Sequence, residues 1–96
     1  MSLDQDTICQ ARIQTTLAVL HVVTTEEVRL HGRNLVTCLV VHLGDDVALR
    51  CSVNDGKINV SVGDSVIQLQ REVWKRSEEK HAIAWIDGYI AGYNQH

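Results

Sequence analysis

The alternation of apolar and polar residues is clearest in the middle of the chain. Residues 35–43 form a near-continuous aliphatic run, as expected of a strand that is buried on both faces. Residues 47–53 and 57–62 carry an apolar side chain at every second position, which is typical of strands with one buried face. Asn54-Asp55-Gly56 between them favours a tight hairpin, because these residues tolerate positive φ angles. The pattern predicts three antiparallel strands in a meander.

Residues 8–23 fit two patterns. Apolar and polar residues alternate through much of the segment, and the β-branched residues of its second half tip the prediction slightly toward a strand. A helical spacing is the alternative, with Asp4 or Asp6 able to cap its start. That spacing places on one face Cys9, Ile13, Leu17 and Leu20.

The segment that follows is equally open. Thr24 and Glu27 fit a capping box, and Gly32 suits the position just after the end of a short helix. The alternative is a strand over residues 27–31 that turns through residues 31–34 into the aliphatic run.

The C-terminal part should contain the main helix. Residues 66–76 follow a helical spacing but also alternate, so that a fourth strand is a second interpretation. Residues 77–93 are expected to be helical, with Glu78 and Glu79 in the first turn, where the helix dipole favours acidic groups. The predicted fold class is α+β: an antiparallel β-meander of three to five strands with a C-terminal helix packed on one face. Residues 1–96 make one domain.

All four aromatic residues lie in the last quarter of the chain. On a helix, a spacing of four residues makes an aromatic ridge of Trp85, Tyr89 and Tyr93. The same spacing makes a groove almost without side chains from Ala84, Gly88 and Gly92. Since each glycine costs a helix about 1 kcal/mol relative to alanine, we expect a close backbone contact there, with the protein's own sheet or with a second chain. The predicted interaction residues are Trp85, Gly88, Tyr89, Gly92 and Tyr93.

The ending Trp85-x-x-Gly88-Tyr89-x-x-Gly92-Tyr93 resembles the C-termini of small proteins encoded by phages or mobile elements. The likeness covers nine residues and contains no catalytic motif. It implies a compact accessory factor that binds and blocks, or modulates, a host protein.

Charge and composition narrow the functional classes. The net charge of −3 argues against nucleic acid as a partner, because binding to a phosphate backbone needs a concentrated basic face. On a helix, Glu72 would pair with Arg76, so that the basic stripe of Arg71, Lys75, Arg76 and Lys80 beside Trp74 is interpreted as a salt-bridged solvent face. No apolar stretch approaches the ~20 residues of a membrane span.

The three cysteines, Cys9, Cys38 and Cys51, include no C-x-x-C pair. This is expected of a reduced, cytoplasmic protein with buried thiols. No set of cysteine and histidine residues has the spacing of metal ligands on one element, and no nucleotide-binding or nucleophile motif is present. We therefore expect neither a metal nor another cofactor.

Two functional hypotheses follow. The first is a small non-enzymatic protein-interaction module, expected to be a homodimer, that uses the aromatic–glycine helix or the sheet edge to bind another protein. The alternative is a small enzyme or ligand-binding protein with a site at residues 26–33, built from Glu26, Glu27, His31 and Arg33. A deep polar pocket there would favour the alternative.

Overall fold

The computed structural model describes residues 4–29 and 35–94. The elements, in chain order, are α1 (Gln5–Leu17), β1 (Thr24–Arg29), β2 (Leu35–His42), β3 (Ala48–Asn54), β4 (Lys57–Gly63), β5 (Gln68–Lys75), a 3₁₀ turn (Arg76–Glu78) and α2 (Glu79–Tyr93). The five strands form one sheet in the order β1-β2-β3-β4-β5, and every neighbouring pair is antiparallel. The predicted α+β meander with a C-terminal helix is confirmed.

The hairpin between β3 and β4 has the predicted turn. Asp55 and Gly56 adopt φ angles of 53° and 74°, and Asn54 pairs with Lys57 across the turn. Two consecutive positive φ angles match the right-handed twist of the two strands. The local sequence therefore determines this hairpin.

The strand interpretation of residues 8–23 is wrong, because residues 5–17 form α1. The Asp4 carboxylate caps the helix by accepting a 2.7 Å hydrogen bond from the Thr7 backbone N–H. Only three residues of α1 are fully buried, namely Cys9, Ile13 and Leu17. This single row at a spacing of four suffices to hold an otherwise polar helix against the sheet.

Both remaining ambiguous segments are strands. β1 replaces the short helix suggested by the Thr24 capping box, and Gly32 lies outside the described residues. β5 replaces the helix considered for residues 66–76, so the helical pair of Glu72 with Arg76 does not form. Arg76 instead donates to Asp6 at 2.6 Å.

The core lies between one face of the sheet and the two helices. Successive side chains of a strand point to opposite faces, and the buried inward positions of the three central strands are aliphatic or cysteine. The buried cluster consists of Cys9, Ile13, Leu17, Leu39, Val41, Leu49, Cys51, Val53, Ile58, Val60, Val62, Ala82, Ile86 and Ile90. Both helices contribute to this one cluster, and no described helix lies on the opposite face, which is called the open face below.

Polar side chains fix α1 in position. The Gln10 amide donates to the Thr37 carbonyl oxygen at 2.7 Å and accepts from the Val53 N–H at 2.9 Å, which ties α1 to β2 and β3. The Glu79 carboxylate accepts two 2.7 Å hydrogen bonds from the Arg12 guanidinium and joins α1 to the start of α2.

Candidate protein-interaction surfaces

The aromatic residues of α2 are used partly inside the chain. α2 turns Ala82, Ile86 and Ile90 fully into the core. Trp85 and Tyr89 flank this row, are half-buried and stack on each other with ring centroids 5.1 Å apart. Trp85 also lies 5.6 Å from the ring of Trp74 on β5. The ridge therefore closes the edge of the core between α2 and β5.

The third member of the ridge, Tyr93, reaches a different part of the fold. It is half-buried, and a Cβ placed on Gly44, in the turn after β2, would lie 3.2 Å from the Tyr93 hydroxyl oxygen. A glycine at this turn leaves room for the phenol hydroxyl group. The contact positions the end of α2 over one end of the sheet.

The glycine groove faces away from the sheet. A Cβ added to Gly88 or Gly92 would meet no described atom within 4 Å, and Ala84 is exposed. The expectation that the groove lies against the protein's own sheet is therefore wrong. Contact with a second chain stays a prediction.

The proposed polar site at residues 26–33 is not assembled by the described part of it. Glu26 and Glu27 are adjacent in β1, so their side chains point to opposite faces of the sheet. Glu26 accepts a 2.6 Å hydrogen bond from Arg50 Nε and forms an ion pair with it on the open face, whereas Glu27 is exposed. His31 and Arg33 lie outside the described residues.

β5 is an exposed edge strand with apolar side chains. It pairs with β4 only, and no described strand adjoins its other side. Ile67 just before it and Leu69 within it are each 57% exposed, and Val73 is 47% exposed. Gly63 of β4 pairs with Gln68, but its neighbour Val62 pairs with Gln70, so the register of the two strands shifts by one residue. Leu69 is left as the extra residue of a β-bulge.

Basic side chains lie together on the open face, whereas the sequence pattern predicted Arg71 and Lys75 on a salt-bridged helix. Arg50 pairs with Ser61, Ser61 pairs with Arg71, and Lys57 pairs with Lys75. These four cations therefore lie on one face. Among the described strand residues of that face, Glu26 is the only acidic one. A helix over residues 66–76 would not place Arg71 and Lys75 on the same surface as Arg50 and Lys57. The alternation of apolar and polar residues in this segment is the sequence signal for a strand, which does so.

The cysteines lack the features of nucleophiles. Cys9, Cys38 and Cys51 are free and buried. Burial raises the pKa of Cys9 and Cys38 to about 11 and that of Cys51 to about 12. At neutral pH these thiols are protonated, and the thiolate is the reactive form.

No protein-family model, curated protein or solved structure matches this chain. Within residues 4–29 and 35–94, no group of three or more His, Cys, Asp or Glu side chains has the arrangement of a metal site. In the same part of the chain, neither helix has the length and apolarity needed to cross a membrane.

Proposed function

We propose that this chain is a small non-enzymatic protein-interaction module that works as a homodimer. The observation that carries the proposal is the outer edge of β5, an eight-residue strand whose outward backbone groups face no described strand and lie beside exposed aliphatic side chains. Such an edge is a template for pairing with another strand. Antiparallel pairing with β5 of a second copy would satisfy both edges at once.

The comparison with the other edge supports this choice. β1 has only six residues, and its exposed positions are Thr24, Thr25, Glu27 and Arg29. Short length and charged side chains are the usual ways in which proteins protect an edge from association. β5 also carries charged residues, Arg71 and Lys75, and a bulge near its start, but it is longer and exposes Leu69 and Val73 beside them. Its edge is therefore less protected than that of β1.

The outward side of α2 is proposed as the second contact surface, available to a protein partner. Gly88 and Gly92 each make the helix less stable by about 1 kcal/mol than alanine would, and nothing in the described chain approaches them to offset that cost. Trp85, Tyr89 and Tyr93 are half-buried beside this surface and present their remaining exposed area to the same partner.

Two parts of the proposal concern the cellular compartment of the protein and its biological role. Three free, buried thiols support a reducing, cytoplasmic environment. The role of a phage or mobile-element factor that blocks a host protein depends on the C-terminal resemblance alone and remains a prediction.

Sedimentation velocity of the wild type and two variants tests the dimer. Leu69→Lys places a charge at the β5 edge, whereas Val22→Lys changes an aliphatic residue that is 83% exposed and lies outside the sheet. We expect the wild type and Val22→Lys to sediment as dimers at micromolar concentration and Leu69→Lys to sediment as a folded monomer. A monomeric wild type throughout that range, or equal dissociation of both variants, would refute pairing through β5.

A further inference from the structure

Some basic side chains form ion pairs with acidic residues of the same chain, and others do not. Arg12, Arg50 and Arg76 form ion pairs with Glu79, Glu26 and Asp6 at 2.6–2.7 Å. Four other cations, Lys57, Arg71, Lys75 and Lys80, form no ion pair with any described residue. Three of these four lie on the open face of the sheet, and only Lys80 lies on a helix.

The open face is therefore positive on a negative protein. Its strand residues include four cations and the single acid Glu26, a difference of +3, whereas the whole chain carries −3. The two lysines at the end of the β4–β5 pair, Lys57 and Lys75, are directly opposite each other. Like charges in this position destabilise a sheet, so packing within the chain does not explain their placement.

The cations are spaced for an extended ligand. Arg50 and Arg71 lie in one row with Ser61 between them, which puts their Cα atoms about 10 Å apart at two strand spacings. Lys57 lies four residues along β4 from Ser61, or about 13 Å. The four positive groups thus border an area of about 10 Å by 13 Å. An extended peptide of a few residues spans a similar distance.

A groove on this face adds apolar surface between the charges. Its volume is about 480 Å³, and its lining includes Arg50 and Arg71 together with the aliphatic side chains of Val28 and Val36 and the thiol of Cys38. One acidic turn residue, Asp55, lies at the end of the groove beside Lys57, so the positive charge is concentrated toward Arg71 and Lys75. None of the four tryptophan and tyrosine residues lies on the open face: Trp74 points to the core side, and Trp85, Tyr89 and Tyr93 are in α2. Since single-stranded nucleic acids are held largely by stacking of bases on aromatic rings, the combination of cations with aliphatic groups favours a peptide.

We propose that the open face binds an acidic, extended segment of a partner protein, whose carboxylates contact Arg71, Lys57 and Lys75 and whose aliphatic side chains enter the groove. This inference rests on the proposed function and names the chemical class of the partner. The opposite charges of segment and face supply the selectivity, and the groove between the arginines supplies the apolar contact. The face remains accessible when β5 pairs with a second copy, because edge pairing extends the sheet without covering it.

Fluorescence anisotropy with a labelled peptide of alternating glutamate and valine tests this proposal. The variants are Arg71→Gln, Lys57→Gln and the control Lys80→Gln, which removes an equally unpaired cation from α2. We expect Arg71→Gln and Lys57→Gln each to weaken binding by about two- to fivefold, and we expect Lys80→Gln to leave it unchanged. Higher salt should weaken binding as well.

Two further probes complete the design. The same peptide with glutamine in place of glutamate should not bind, and single-stranded oligothymidylate should bind more weakly than the acidic peptide. No measurable binding of the acidic peptide, an equal loss with Lys80→Gln, or tighter binding of the oligonucleotide would overturn the proposal. Peptide binding and dimerisation are measured in separate assays. A lack of peptide binding therefore does not contradict the β5 dimer, and a monomeric protein can still be tested for peptide binding.

Discussion

Replacing Gly88 by alanine should stabilise the monomer. Gly88 lies inside α2, and a Cβ at this position meets no described atom within 4 Å. The methyl group therefore causes no collision, and the change removes the conformational entropy cost of glycine in a helix. The gain should be about 1 kcal/mol, which raises Tm by roughly 4–8 °C in a domain of this size.

Gly63→Ala is the matched opposite case. A Cβ on Gly63 would collide with the Ile67 carbonyl oxygen and lie 2.9 Å from the Gln68 Cα. Because both contacts are with backbone, the turn between β4 and β5 must shift, and we expect a loss of about 1–3 kcal/mol. The same chemical change thus has opposite signs at two glycines.

Thermal melts of both variants, followed by far-UV circular dichroism over a range of protein concentrations, measure these effects. If Gly88→Ala lowers Tm equally at every concentration, the conclusion that this side of α2 is unoccupied in the monomer is wrong. If the variant instead gains stability when dilute and loses association or partner capture, the glycine surface is a contact between chains.

Two further predictions concern polar and thiol groups. Hydrogen bonds from Arg12 hold the pKa of the Glu79 carboxyl below its usual value, so its contribution to stability is present above about pH 4.5 and is lost as pH falls through the lowered pKa. Because the Arg12 side chain is 57% exposed and water screens the pair, Glu79→Gln should cost about 1 kcal/mol or less near neutral pH. Urea titrations should show this difference shrinking in acid, and an unchanged difference at low pH would contradict the assignment. The three buried thiols, with pKa values of about 11 to 12, should react with Ellman's reagent at neutral pH only as the protein unfolds, and rapid labelling of the native protein would show that one of them is accessible.

The strands in the middle of the chain could be predicted because their burial follows the sequence period of two. Residues 47–53 and 57–62 carry an apolar residue at every second position, and Asn54-Asp55-Gly56 favours a tight hairpin. α1 was mistaken for a strand because only three of its thirteen residues are buried. Its polar remainder contains β-branched residues that contribute nothing to the core, and contact with the sheet outweighs their weak propensity.

The surfaces could be predicted less well because they depend on strand register. Arg50 and Arg71 are twenty-one residues apart in sequence, and only pairing of both strands with β4 places them in one row. The glycine groove was predicted as a helical face, but sequence spacing could not show which side of α2 faces the core. Ile86 and Ile90 occupy that side.

Hydrogen–deuterium exchange at two protein concentrations tests the central claim most directly. β1 and β5 are the two edges of the same sheet, so β1 serves as an internal control. Pairing through β5 predicts that amides of residues 68–75 exchange more slowly at high concentration, whereas amides of residues 24–29 exchange at the same rate at both concentrations. Equal, concentration-independent exchange at both edges would contradict association through β5.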